Sequence, residues 1–190
     1  MLANAPHLIL PLLVLNLLGT EMNAYFYIAW MIAAVLYSIP GAVSESLFAE
    51  SSFDLTMVKK NVGLSLKLIL FLAIPAVAII CIAGKWILHI FGQSYSANAL
   101  LLLWLLSGTV LFKSIINVYI SLLRVVNRIF EIIVIEGVFA ASVLIACYLI
   151  LPSAGINGIG YIWLAVHCLL AVVLFFRLRY LLVDIEKKTV

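Results

Sequence analysis

Charge is scarce in this chain of 190 residues: Asp, Glu, Lys and Arg together make up 10% of it, against about 25% in soluble domains. With 67% of the residues hydrophobic, too little polar surface remains to clothe a water-soluble fold. Cysteine is nearly as sparse. Cys81, Cys147 and Cys168 are odd in number, far apart and set within apolar runs, which excludes a disulfide framework. No CxxC, Cys/His pairing or HExxH is present, so neither a metal nor another cofactor is indicated. GxSxG and paired intramembrane aspartates are also missing, and the chain does not read as an enzyme. No repeat with a period of about 20–50 residues is visible.

What is present is length without charge. Six apolar segments, at about 2–18, 25–45, 62–83, 97–123, 129–151 and 156–182, are long enough or nearly so to cross a bilayer. The expected fold is therefore all-α: a polytopic membrane protein with one six-helix domain over residues 1–182 and a tail at 183–190. The first segment has no basic n-region and no small-x-small cleavage site, and Asn4, Pro6, Pro11 and Asn16 interrupt it. It reads as a short spanning helix, and its start almost at Met1 as the point where a longer chain was cut.

The net charge of +3 matters less than where it sits. With six crossings, Lys59, Lys60, Arg124, Arg128, Arg177, Arg179, Lys187 and Lys188 fall on one side and Lys85 alone on the other. The positive-inside rule then puts both termini in the cytoplasm. These charges hug the membrane, where they attract anionic lipid head groups; they give no support to a nucleic-acid role.

The stretch 92–124, GQSYSANALLLLWLLSGTVLFKSIINVYISLLR, carries a lone lysine near its middle. At 1.5 Å per residue Lys113 lies roughly 16 Å from Arg124, close to mid-membrane. Insertion of such a charge costs about 2.5–3.5 kcal/mol, so it is expected to face a bundle interior or a wet cavity. Asn117 and Ser121 follow at i+4 and i+8 on the same polar stripe. Glu136 stands about 12 Å in from Arg128, at a similar depth, which makes an intramembrane pair with Lys113 geometrically feasible. Lys67, a turn beyond Gly63, either snorkels to the interface or lines the same cavity.

In the second segment Tyr27, Ala34, Ser38, Gly41 and Glu45 share a small and polar face, and Pro40 removes a backbone donor. Pro40 and Gly41 are either a packing kink or the hinge of a gate. Gly137 and Ala141 have the small-xxx-small spacing of close helix contacts. His89 reads as interfacial among Trp86, Phe91 and Tyr95, and His167 as a histidine bonded to a neighbour. An embedded cation with polar neighbours suits holding an anion such as a phosphate away from bulk water.

Three passages carry a resemblance. They are LLGTEMNAYFYIAWMIAAVLYSIPGAVSESLF, KWILHIFGQSYSANALLLLWLLS with Phe91, Gly92, Tyr95, Ala99, Leu102 and Leu106, and GINGIG with Gly155, Gly158 and Gly160. In this order and spacing they resemble the polysaccharide and oligosaccharide lipid flippases of the multidrug/oligosaccharidyl-lipid/polysaccharide exporter superfamily. The resemblance spans essentially the whole chain but only the C-terminal half of that family's usual twelve or more helices. It implies one lobe of a two-lobe transporter that moves a lipid-linked glycan across the plasma membrane, completed by an N-terminal six-helix partner chain or a second copy. Lys113, Lys67 and Asn117 would then face the substrate phosphate, with Glu136 and Glu45 as charge partners or coupling groups. Alternative readings are half of a cation-coupled multidrug exporter, with Glu136 and His167 as its ionisable candidates, and a non-transporting membrane scaffold.

Overall fold

The computed structural model describes residues 5–189, without the side chains of Leu55, Asp184 and residues 186–189. It is helical, with no strand among the described residues. The elements are α1 (Ala5–Leu18), α2 (Thr20–Phe53), a 3-10 turn (Leu55–Met57), α3 (Val58–Phe91), α4 (Gln93–Asn98), α5 (Leu100–Val125) and α6 (Ile129–Thr189). Four stretches are long and apolar enough to cross a membrane, namely α2, α3, α5 and Ile129–Val183 of α6. This is the constitution of a membrane protein: within hydrocarbon a backbone must satisfy its own hydrogen bonds, and a helix does so locally.

α1 has 14 described residues, roughly 21 Å, which is short of the ~30 Å hydrocarbon core. The expected first segment begins within residues 1–4, which lie outside the described residues. In α6 the backbone leaves helical geometry at Gly155 (φ 59°, ψ −155°), and the chain doubles back. Glu131 meets Arg177 and Phe139 meets His167, so the arms on either side of Gly155 run antiparallel.

The helices overrun the apolar segments that announce them. The break between the first two apolar segments reduces to Gly19, since α2 is already helical from Thr20. The stretch between the second and third apolar segments is mostly the end of α2 and the start of α3, broken only at Asp54 and the 3-10 turn. The stretch between the third and fourth apolar segments is helical to Phe91. Hydropathy falls where the membrane ends, but i→i−4 bonding does not. At the break between α2 and α3 the Asp54 carboxylate accepts from the Thr56 amide (2.9 Å) and hydroxyl (2.6 Å), which holds its carboxyl below the usual range.

Four of the bends fall at residues that tolerate positive φ: Gly19 (89°), Gly92 (134°), Asn127 (57°) and Gly155 (59°). Asn127 closes α5 with paired bonds, its own N–H donating to the Arg124 carbonyl (3.0 Å) and the Arg128 N–H to the Leu123 carbonyl (2.8 Å). This is the Schellman arrangement, which satisfies carbonyls otherwise orphaned at a helix end.

α5 lies at the centre, packed on α2, α3 and α6, with Leu102, Leu103, Leu106, Val110, Leu122 and Leu123 fully buried. α3 is peripheral, and its Leu68, Phe71, Ile74 and Ile82 are exposed, an arrangement that costs nothing against lipid tails. A close helix contact falls at Gly160 of α6; of the expected Gly137–Ala141 pair, Ala141 is exposed. A side-chain carbon at Gly160 would come within 2.8 Å of Leu105 Cδ1 and 3.0 Å of Leu105 Cβ.

Gly160→Val is expected to destabilise the chain by about 1–3 kcal/mol through overpacking against α5, measured by melting in detergent. Gly63→Ala, at a position with no atom near the added carbon, serves as the tolerated control. Equal melting of the two variants would refute the close-contact reading.

Candidate functional site

The polar stripe of α5 faces a cavity of about 200 Å³ between α2, α5 and the first arm of α6. Its walls are Gly41, Ser44 and Glu45 from α2, Lys113, Asn117, Ile120, Ser121 and Arg124 from α5, and Glu136 from α6. The helical repeat explains the assembly, because residues 113, 117, 121 and 124 recur at intervals of three and four on one side of α5. A smaller cavity of about 60 Å³ adjoins it, again lined by Lys113, Asn117, Ile120 and Glu136, with Phe139 and His167 beyond.

Hydrogen bonds fix the near wall. Ser121 Oγ donates to the Ser44 carbonyl across α5 and α2 (2.9 Å), and Arg124, near the end of α5, pairs with Glu45 of α2 at 2.7 Å. Ser44 is 3% exposed and its Oγ has no hydrogen-bond partner among the described residues. A buried hydroxyl without a partner costs about 1–3 kcal/mol, so a polar group entering this cavity would find a donor already desolvated.

Lys113 is half-buried, and its Nζ lies 4.8 Å from the centroid of the Tyr37 ring. A desolvated cation–π contact of about 2 kcal/mol offsets much of the cost of placing an ammonium at this depth. Tyr37 in turn is held on both sides: its hydroxyl donates to the Leu106 carbonyl (2.8 Å) and accepts from Trp163 Nε1 (3.1 Å). Around Trp163 gather Trp30 at 4.8 Å, Phe139 at 5.6 Å and His7 at 5.6 Å, centroid to centroid and edge to face. Together these rings join α1, α2 and both arms of α6 beside the lysine.

The expected site residues divide clearly. Lys113, Asn117, Glu136, Glu45 and Gly41 share the larger cavity. Lys67 does not: it and Gly63, one turn before it, are exposed on α3 and line neither cavity, because α3 turns that side away from α5. α2 stays helical through Pro40, which is buried, while Gly41 borders the cavity with open space where a side chain would stand. Of the small-and-polar face expected on α2, Tyr27 and Ser38 are exposed and only its Gly41–Glu45 end reaches the cavity. His167 is 2% exposed with Nδ1 2.8 Å from the Trp163 carbonyl, a contact that places the proton on Nδ1. Sequence reasoning passed over Tyr37, Trp163, His7 and Ser44. The available signal was the spacing of Trp30, Tyr37 and Ser44 at sevens, which marks the buried stripe of α2.

The chain matches no protein-family model, no curated protein and no solved structure. The site must therefore be judged on its chemistry: a cation, an amide and serine hydroxyls, with carboxylates alongside, in a hollow between apolar helices.

Tyr37→Phe is expected to lower stability by about 1–3 kcal/mol, because it leaves the buried Trp163 N–H without an acceptor while keeping the ring under Lys113. Melting in detergent, followed by tryptophan emission, checks it; an unchanged melt would remove Tyr37 from its place at the centre of the network.

Proposed function

We propose that the chain is a six-helix lobe of a transporter that moves lipid-linked oligosaccharide or polysaccharide precursors across the plasma membrane, with both termini in the cytoplasm. The six crossings are α1, α2, α3, α5 and the two arms of α6. The observation that carries the reading is the cavity beside Lys113: a membrane-depth ammonium turned into a polar hollow with Asn117, Ser121 and the unpartnered Ser44 hydroxyl. A lipid-linked pyrophosphate or phosphate needs such a place, since its charge is the part of an amphiphile that hydrocarbon rejects. The ion-paired end at Arg124 and Glu45 supports a cytoplasmic mouth, because basic residues gather there. A single lobe encloses half a path, so the working unit includes a second lobe, from a partner chain or another copy. Gly41, at the cavity wall, and the buried Pro40 before it are the positions at which α2 would bend during the exchange of access.

One observation favours a second reading. Glu136 lines both cavities together with Lys113, as a purely structural charge arrangement in a scaffold subunit would have it. A cation-coupled exporter would also use Glu136, whereas His167 is already committed to a backbone carbonyl.

Lys113→Ala is expected to reduce glycan-lipid export by about tenfold or more, the value of one charged hydrogen bond, and Lys113→Arg to retain part of it. Flipping assayed in vesicles with the partner lobe present checks this, and undiminished export by Lys113→Ala would end the cationic-cavity reading. If Lys113→Ala instead lowers the melt and adding Glu136→Gln restores it, the scaffold reading stands.

A further inference from the structure

A second polar pocket lies at the basic end of the helices, apart from the Lys113 cavity. It encloses about 260 Å³ and is lined by Tyr119, Arg128, Arg177, Tyr180 and Leu181. Its two guanidinium groups are held from behind by one carboxylate. Glu131 pairs with Arg128 three residues before it and accepts from Arg177 Nη2 at 3.4 Å, yet Glu131 itself is not part of the lining. The Schellman turn at Asn127 fixes the backbone that presents Arg128. Among the described residues, two cations and one carboxylate leave an excess positive charge, and the phenol of the buried Tyr119 adds a polar group beside it.

Next to this pocket runs a groove with wholly apolar walls, formed by Phe112 and Ile115 of α5 and by Ala171, Val172, Phe175 and Phe176 of α6. The two features are in register. Phe112, Ile115 and Tyr119 lie at intervals of three and four on one face of α5, and Phe176 precedes Arg177 on α6. That face of α5 is not the one that carries Lys113 and Asn117 into the central cavity. An apolar trough along the membrane span therefore ends in a cationic, phenolic pocket at head-group level.

We propose that this groove and pocket bind an anionic glycerophospholipid of the bilayer, its acyl chain along Phe112, Ile115 and Phe176 and its phosphate diester between Arg128, Arg177 and the Tyr119 hydroxyl. Arginine suits the role because its planar fork gives paired hydrogen bonds to phosphate oxygens. Basic pockets between spanning helices on the positive side of a membrane take lipid head groups for the same reason. The site is separate from the proposed transport path, and its test does not depend on transport.

The experiment is native mass spectrometry of the full chain in detergent, titrated with phosphatidylglycerol, phosphatidylcholine or inorganic phosphate. Phosphatidylglycerol is expected to be retained over phosphatidylcholine, and Arg177→Gln or Arg128→Gln to lose about fivefold in its affinity. Lys60→Gln, which removes the same charge from an exposed position, should leave retention unchanged. Val172→Trp, which crowds the groove, should lower retention of both lipids. Because the arginines also hold Glu131, Arg177→Lys and Tyr119→Phe serve where the glutamine variants do not fold; the first should keep part of the preference and the second reduce it. Undiminished retention by the pocket variants overturns the proposal, and so does an equal loss in Lys60→Gln, which would mean diffuse surface charge. Displacement of the lipid by equimolar inorganic phosphate would make this a free-anion site and equally overturn the lipid assignment.

Discussion

The architecture depends on one phenol. Tyr37 of α2 donates to a carbonyl of α5, accepts from an indole of the second arm of α6, and lies beneath the only lysine that α5 carries. In lipid, apolar side chains gain little by meeting one another, since the tails around them are equally apolar. What fixes the rotation of one helix against the next is then close packing and the few polar bonds between helices. Tyr37 supplies two such bonds within 3.1 Å and an electrostatic one besides. Its place one turn before Pro40 sets the azimuth of the α2 segment that walls the cavity.

The polar network and the hollow are two aspects of one arrangement. Ser121 reaches the Ser44 carbonyl on one side of the cavity and the Tyr37 group seals the other, so α2 and α5 are held at both ends of the polar stripe and stand apart between them. Lys113 occupies the gap. Its charge is tolerable because an aromatic face and a polar cavity replace part of the water it lost.

Much of this was legible in the amino-acid sequence, and the limits follow from geometry. The apolar runs marked the spans, and the intervals between Lys113, Asn117 and Ser121 placed them on one side of a single helix, which needs no knowledge of neighbours. Lys67 shows where such reasoning stops: depth along a helix can be counted from sequence, but direction around it depends on what packs there, and α3 packs by its other side. Helix ends were underestimated because hydropathy reports the solvent and not the hydrogen bonds, so α2 and α3 each run to 34 residues. The Tyr37–Trp163 contact joins residues 126 apart in sequence and had no local signature. Arg128 and Glu131, three apart, did have one, although their third member, Arg177, arrives only when α6 folds back.

Gly19, Gly92 and Gly155 turn the chain with almost no intervening loop. A corner made by one residue offers no extended strand for a protease to thread and no flexible segment for an antibody to grasp. The face built on these corners is a surface of blunt helix ends, and whatever approaches the molecule from that side must engage packed helices rather than strip or remodel a loop.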